Sequence, residues 1–353
     1  MLDSGDMFLE SNGIVEGQKE AVAARADLFI KAYNKSGVAA YGLGDRDLSA
    51  LGVEGLKALA KKAQFPFLNA NVVDKDGKPV FTPTLVVEVA GFKVGVFGIV
   101  TGGAEFPEKE QYKLKDPTEA TKAAVADLGN QGVDAIVMLA HLDRPDADAI
   151  VKAVPGIDVV LGGQSMGSSQ GLDPVGAGFW AEAGQKGKFL NIITLNLSAK
   201  GHKAFVVREA AAKLKAEVAE LDDRIRRYSK LQNAPSVPGT RTADPGRFKG
   251  VVESMLKHRA TLEEKAAKLA KVPEDAPFLS FTAVPMNKAL RDDTEVAGWV
   301  TEYETKYPPA GHGVTRPVPG QPVQLKPGMD ASSMRKLRPV VKPSGQSTPP
   351  AGK

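Results

Sequence analysis

Four short polar passages in the first half of the chain hold its most chemically capable side chains. Asp6 closes Leu2-Asp3-Ser4-Gly5-Asp6, and Gly44-Asp45-Arg46-Asp47 follows the apolar run Val38-Ala39-Ala40-Tyr41. His141 ends the apolar run that begins at Ala135. Gln164 and Met166 lie in Gly162-Gly163-Gln164-Ser165-Met166, after Val159-Val160-Leu161. Carboxylates, an imidazole and an amide oxygen are donor types that hold a divalent cation. A guanidinium grips phosphate oxygens in a two-pronged fork. Other chemistries are excluded. With no cysteine there is no disulfide, thiolate metal site, thioether-linked haem or cysteine nucleophile. His202 in a Lys-Gly-His-Lys turn, His258 on a helix surface and His312 in the tail have no second ligand at metal spacing, and are read as surface residues. Gly42-Leu43-Gly44 and Gly162-Gly163 neither end in Lys-Ser/Thr nor open a Gly-x-Gly-x-x-Gly turn, so they are tight turns at strand ends rather than phosphate loops.

These passages need a scaffold, and residues 1–207 alternate strand and helix signals. An Ala-rich amphipathic helix runs from near Glu16 to Asn34, and a second spans Val53–Ala63. Val38–Tyr41 and Phe67–Ala70 read as short strands, and Leu85–Val89 with Val94–Val100 as a hairpin about Gly91. Pro117–Leu128 and Ala147–Val154 read as helices. Ala135–Leu139 is apolar without alternation, which suits a strand buried on both faces. Val159–Leu161 is another strand, and Phe179–Ala183 with Phe189–Leu197 reads as a closing antiparallel pair. This alternation predicts an α/β sheet protein with ligands at strand ends. Beyond Val207, Leu214, Val218, Leu221, Ile225, Tyr228 and Leu231 recur at helical spacing, as do Val252, Met255, Leu262, Ala266 and Leu269. With the link Pro235–Gly246 they predict an antiparallel helical hairpin, a structural arm or a surface for a protein partner or self-association. Asp293–Tyr307 is a last helix.

The net charge of +4 is unevenly spread. Residues 309–353 carry seven Lys or Arg against Asp330 alone, which leaves the rest of the chain near −2. The body is therefore no nucleic-acid surface by charge. Nine prolines in that 45-residue tail predict disorder with polyproline II character. No apolar run approaches the roughly 18 to 20 residues of a transmembrane helix. The start has no charged-then-apolar segment, so no signal peptide is expected in the chain as given.

Five passages in order carry a family resemblance. They are Gly44-Asp45-Arg46-Asp47; Leu56–Leu59 leading to Phe65-Pro66-Phe67-Leu68-Asn69-Ala70-Asn71; Val94-Gly95-Val96-Phe97-Gly98-Ile99-Val100-Thr101; Pro155-Gly156-Ile157-Asp158 leading to Gly162-Gly163; and Ala183-Gly184-Gln185-Lys186-Gly187-Lys188. From Leu2 to about Leu197 the chain resembles the N-terminal domain of the 5′-nucleotidase branch of calcineurin-like metallophosphatases. The resemblance implies an α/β fold, a metallophosphatase-like β-sandwich flanked by helices and N-terminally truncated, followed by the helical hairpin and the disordered tail. The expected domains are 1–207 (metallophosphatase-like), 208–275 (hairpin), 276–308 (helical segment) and 309–353 (Pro-rich basic tail).

The family holds two metals with Asp-x-His on its first strand, the Asp of Gly-Asp, the Asn of Gly-Asn-His, a lone His, and both His of Gly-His-x-His. Carried onto this chain, Asp6 matches the bridging Asp and His141 the lone His. Asp45 stands at the Asn, Arg46 at the catalytic His, Asp47 at a Glu, and Gln164 and Met166 at the last two His. The Asp-x-His strand is absent because Met1 directly precedes Leu2-Asp3, as a misplaced start codon would explain. The first metal would depend on that strand and on the soft Met166 thioether, so its site is expected to be lost. Asp6, Asp45, His141 and Gln164 leave a remnant second site for one divalent ion, Mn, Zn or Fe. The alternative is an ion-paired cluster of Asp6, Asp45 and Arg46, with Arg46 in the metals' space. An arginine cannot replace a histidine as general acid, yet it can bind a phosphate-containing small molecule. The resemblance thus implies either a catalytically impaired binding or scaffold protein or a diverged phosphoester hydrolase using one metal. It also implies a periplasmic or exported protein; with no cysteine, no haem is expected to be attached through thioethers. The family's base-gripping C-terminal domain has no counterpart of sufficient length here.

Overall fold

The computed structural model describes residues 1–8, 18–101, 103–164, 167–197, 200–201, 204–232, 245–269, 276–287 and 289–308. The predicted tail, the link between the two long helices, His202, His312 and Met166 lie outside the described residues. The chain divides into a unit Met1–Tyr303 and a second unit from Glu304, of which the described part is the end of the last helix.

In order, the elements are β1 (Leu2–Asp3), α1 (Lys19–Ser36), β2 (Ala40–Gly42), α2 (Asp45–Ala60), β3 (Phe67–Leu68), β4 (Val72–Asp74), β5 (Thr84–Val89) and β6 (Phe92–Val100). Then come β7 (Tyr112–Leu114), α3 (Pro117–Asn130), β8 (Ala135–His141), α4 (Arg144–Ala153), β9 (Val159–Gly162), β10 (Asp173–Val175) and β11 (Gly178–Glu182). The remainder is β12 (Phe189–Asn196), β13 (Val206–Val207), α5 (Arg208–Gln232), α6 (Pro245–Leu269), β14 (Phe278–Pro285) and α7 (Thr294–Lys306).

Four sheets form. The largest has the order β10-β11-β9-β8-β6-β5, with a parallel centre and antiparallel edges. A three-stranded parallel sheet has the order β1-β2-β3, another sheet has the order β12-β14-β13, and β4 pairs with β7. Strand β8 shows how the layers are cemented. Side chains alternate across a strand, so Ala135, Val137 and Leu139 enter one core while Ile136, Met138 and Ala140 enter another. The first core lies against Ala40 of β2, Leu68 of β3 and Leu279 of β14, which makes a sandwich of sheets. The second lies against Ala120, Ala124 and Leu128 of α3 and Ala147, Ile150 and Val151 of α4. A third core packs Ile30 of α1 and Leu48 and Leu56 of α2 on Tyr41 and Phe67. Helices thus cover both outer faces of the sandwich.

Local chemistry sets the helix ends. The Asp116 carboxylate accepts from the Glu119 amide at 2.9 Å with Pro117 in the first turn of α3, and Asp143 accepts from Asp146 at 3.1 Å before α4. These are side-chain caps for otherwise unpaired amides. Helices α5 and α6 pack together, with Leu221, Val252 and Leu262 buried and Arg259 bridging to Asp222 at 2.6 Å. Helix α7 lies on α1, where Lys31 sits 3.8 Å above the Trp299 ring and the Tyr303 hydroxyl donates to the Ala21 carbonyl at 3.2 Å. No described helix is long and apolar enough to cross a membrane.

One expected pairing is corrected. β11 and β12 do not pair; β11 lies between β9 and β10, and β12 pairs with β14 over eight residues, from Phe189↔Pro285 to Asn196↔Phe278. Trp180 and Ala181 are both buried, as an inner strand requires, whereas β12 alternates between less and more exposed residues and has one face to bury. Its partner β14 comes from a segment that sequence patterning treated only as the approach to a helix.

The two sheets of the sandwich approach closely where β6 crosses β3. A Cβ placed at Gly98 would collide with the Leu68 carbonyl. Gly98→Ala is therefore expected to lower stability by about 1–3 kcal/mol, the usual range for overpacking. Urea unfolding followed by circular dichroism checks this, and an unchanged midpoint would show that the sheets can part there at no cost.

Candidate metal centre

Strands β1 and β2 are parallel neighbours in register Leu2↔Ala40 and Asp3↔Tyr41. The turns leaving them, Ser4-Gly5-Asp6 and Leu43-Gly44-Asp45, therefore emerge side by side. The second turn becomes the first turn of α2, whose axis is broken further on at Gly52. The two sheets of the sandwich bring the end of β8 against both turns, and with it His141.

The His141 side chain is fully buried. Its Nδ1 is 3.0 Å from the Ser4 carbonyl oxygen. A carbonyl only accepts, so Nδ1 carries hydrogen whether the ring is neutral or charged. Its Nε2 is 2.8 Å from Asp45 Oδ1 and 3.1 Å from Asp6 Oδ2. The neutral ring would therefore present the Nε2 lone pair towards two carboxylates, which is how a second hydrogen bond fixes the tautomer of a metal-binding histidine.

Asp6 is held from several sides. Its backbone is left-handed (φ 63). Its Oδ1 accepts from the Arg46 amide at 3.0 Å, at the positive end of α2. Its Oδ2 is 3.5 Å from Arg46 Nε. Gly44 makes this approach possible, because a Cβ there would overlap the Asp6 carboxylate. Behind Asp6 lies fully buried Asp47, whose Oδ2 accepts from the Tyr41 hydroxyl at 2.6 Å and from the Gly44 and Asp6 amides at 3.0 Å each.

The charges respond to these contacts. Burial alone would lower the His141 pKa, but hydrogen bonds to Asp45 and Asp6, together with their charges, outweigh it and raise it to about 10. The hydrogen bond from His141 holds the Asp45 carboxyl below the ordinary carboxylate range. Burial, with the neighbouring Asp6 charge, pushes Asp47 up to about 7 against the pull of its hydrogen bonds. Burial likewise raises Asp3, although the Tyr33 hydroxyl donates to it at 2.6 Å.

Donor atoms of Asp6, Asp45 and His141 all lie within 4.8 Å of one another. Two carboxylates and an imidazole with its outer nitrogen anchored form a donor set that fits one divalent ion. Of the expected residues, three are thus brought together. Gln164 is exposed and follows Gly163, where a Cβ would sit 2.8 Å from His141 Nδ1, the nitrogen turned away from both carboxylates. Arg46 lies at the rim with its side chain 37% exposed and pairs with Asp6, the contact expected of an ion-paired cluster. Sequence patterning did not single out the Ser4 carbonyl, which has no side-chain signature. It also gave no role to Asp47 or Tyr41, which lie within the motif and the strand before it.

The His141 pKa predicts a pH dependence in metal-free protein. The folded value is raised above the unfolded 6.5, so the stabilisation is complete below pH 6.5 and is lost as pH rises through about 10. With a chelator present, the parent should lose stability over this window more steeply than His141→Gln. Parallel urea-derived curves for the two proteins would rule out a histidine held protonated by its carboxylates.

No family model matches the chain. Over 148 residues it is 30% identical to a probable 5′-nucleotidase of Treponema pallidum, covering 40% of this chain and 24% of that protein. Over 173 residues it is 32% identical to a 5′-nucleotidase of Diplobatis ommata, covering 47% and 29% respectively. The chain thus matches under a third of the length of these relatives. Among solved structures, the calcineurin-like phosphoesterase YfkN from Bacillus subtilis superposes with a TM-score of 0.53 at 16% identity, covering 86% of this chain and 82% of that one, a likeness of fold. The chain is thus similar in sequence to 5′-nucleotidases and metallophosphoesterases, and in fold to a calcineurin-like phosphoesterase.

Proposed function

We propose that the chain binds a phosphate ester at one divalent cation held by Asp6, Asp45 and His141, with Gln164 beside them as a fourth donor, and that it is impaired as a hydrolase. The observation that carries this is the anchored imidazole, with Nδ1 on the Ser4 carbonyl and Nε2 facing Asp45 and Asp6 at 2.8 and 3.1 Å. A bound ion would supply Lewis-acid polarisation of a phosphate oxygen. The chain's own residues supply the rest. Asp6 and Asp45 provide two negative charges that a divalent ion would balance, leaving Arg46 as net positive charge at an open rim. Its guanidinium, now paired with Asp6, can turn to a phosphate oxygen. Nucleotide-like esters are the favoured class, because relatives on this branch bear the name 5′-nucleotidase.

Impairment follows from the side chains at the remaining positions. Fast hydrolysis in a two-metal site relies on a clamp on both the attacking and the leaving oxygen. Arg46 stands where a proton donor is expected, and a guanidinium does not serve as a general acid for a leaving group.

Metal analysis after loading with Mn or Zn, with p-nitrophenyl phosphate as substrate, tests the proposal. The expected outcome is one ion per chain, lost in His141→Ala, with turnover near background. Fast turnover abolished by His141→Ala would favour the working one-metal hydrolase. Absence of bound metal would leave only the ion-paired cluster.

A further inference from the structure

Three consecutive backbone amides carry the ligand turn, and each donates to a side-chain oxygen. Gly5 donates to Asp3 Oδ1 at 2.8 Å, Asp6 to Asp47 Oδ2 at 3.0 Å and Met7 to the Tyr41 hydroxyl at 3.2 Å. The same Tyr41 hydroxyl donates to Asp47 Oδ2 at 2.6 Å, so Tyr41 and Asp47 act together. We infer that Asp47, with Tyr41, is a positioning residue that holds Asp6 in the conformation in which its carboxylate faces His141. This rests on the metal-binding proposal above.

Helix capping alone does not account for Asp47. A cap needs only the bond to the Gly44 amide, which Asp47 makes at 3.0 Å. The other two bonds tie the start of α2 to strand β2 and to the turn after β1. Burying a carboxylate for capping alone is also unfavourable: Asp47 is 0% exposed, and its Oδ1 has no hydrogen-bond partner among the described residues. What the arrangement secures is the Asp6 backbone. A non-glycine residue at φ 63 is disfavoured and persists where its surroundings over-determine it. Asp47 Oδ2 holds the amide of Asp6, and the Arg46 amide holds its carboxylate, so both ends of that residue are fixed by the first turn of one helix. Freed of the Asp47 bond, the Asp6 backbone would relax and its Oδ2 would leave the 3.1 Å approach to His141 Nε2.

The test pairs metal affinity with a metal-free measurement. Asp47→Leu removes the acceptor at similar size, Tyr41→Phe removes only the hydroxyl, and Asp47→Asn returns an acceptor oxygen. Mn²⁺ affinity by calorimetry should fall about 10–100-fold in the first two, the usual effect of losing an outer-shell partner, and recover for the most part in Asp47→Asn. Amide exchange by ¹⁵N NMR of metal-free protein should quicken at Asp6 in the first two variants while Ile136 in β8 keeps its parental rate. Unchanged exchange at Asp6, or equal acceleration at Ile136, overturns the inference. If Asp47→Leu does not fold, Tyr41→Phe decides alone. A parent that binds no Mn²⁺ sinks the metal-binding proposal instead, and the exchange at Asp6 then decides the positioning role.

Discussion

Two carboxylates face one buried imidazole nitrogen, and their like charge has to be balanced within a few ångströms. Asp45 and Asp6 both lie about 3 Å from His141 Nε2. Anions this close keep their charge only beside a cation. In the geometry described here a proton on His141 serves, and the guanidinium of Arg46 adds a second positive charge at 3.5 Å from Asp6. A divalent ion, as proposed above, would satisfy the same demand more completely and free both. Proton and metal are thus competing answers to one electrostatic requirement, which is why the ion-paired cluster and the metal site share their residues.

The fold supplies that requirement with little local freedom. The cluster draws on the turns after β1 and β2 and on the end of β8, elements of two different sheets. The sheets are locked by the alternating packing of β8 and by backbone contact at Gly98. Within the turns, side-chain oxygens of half-buried Asp3 and fully buried Asp47 and Tyr41 hold the amides that aim Asp6. Core packing therefore sets where the carboxylates can meet, and buried polar bonds set how they point.

Much of this was legible in the sequence, for identifiable reasons. The unbroken apolar run Ala135–Leu139 announced a strand buried on both faces, and the helix read from Pro117 is α3. The stripe Leu214, Val218, Leu221, Ile225 and Tyr228 is the less exposed side of α5. Asp6, Asp45 and His141 were nominated by motif and do converge. Partnership over long separations was not legible. The eight-residue pairing of β12 with β14 joins segments some ninety residues apart, which neither strand's own pattern encodes. Nor did residue type reveal that Asp47 would be fully buried or Asp6 left-handed, since both depend on the neighbouring turn.

The proposed metal site depends on this cluster taking one divalent ion. Anomalous X-ray scattering from crystals grown with manganese tests it most directly. The expected result is a single manganese peak bounded by Asp6, Asp45 and His141 Nε2, with the Arg46 guanidinium released from Asp6 towards the open rim. Crystals with no peak, and with His141 still bonded to both carboxylates, would contradict it, as would two manganese peaks in the same cleft.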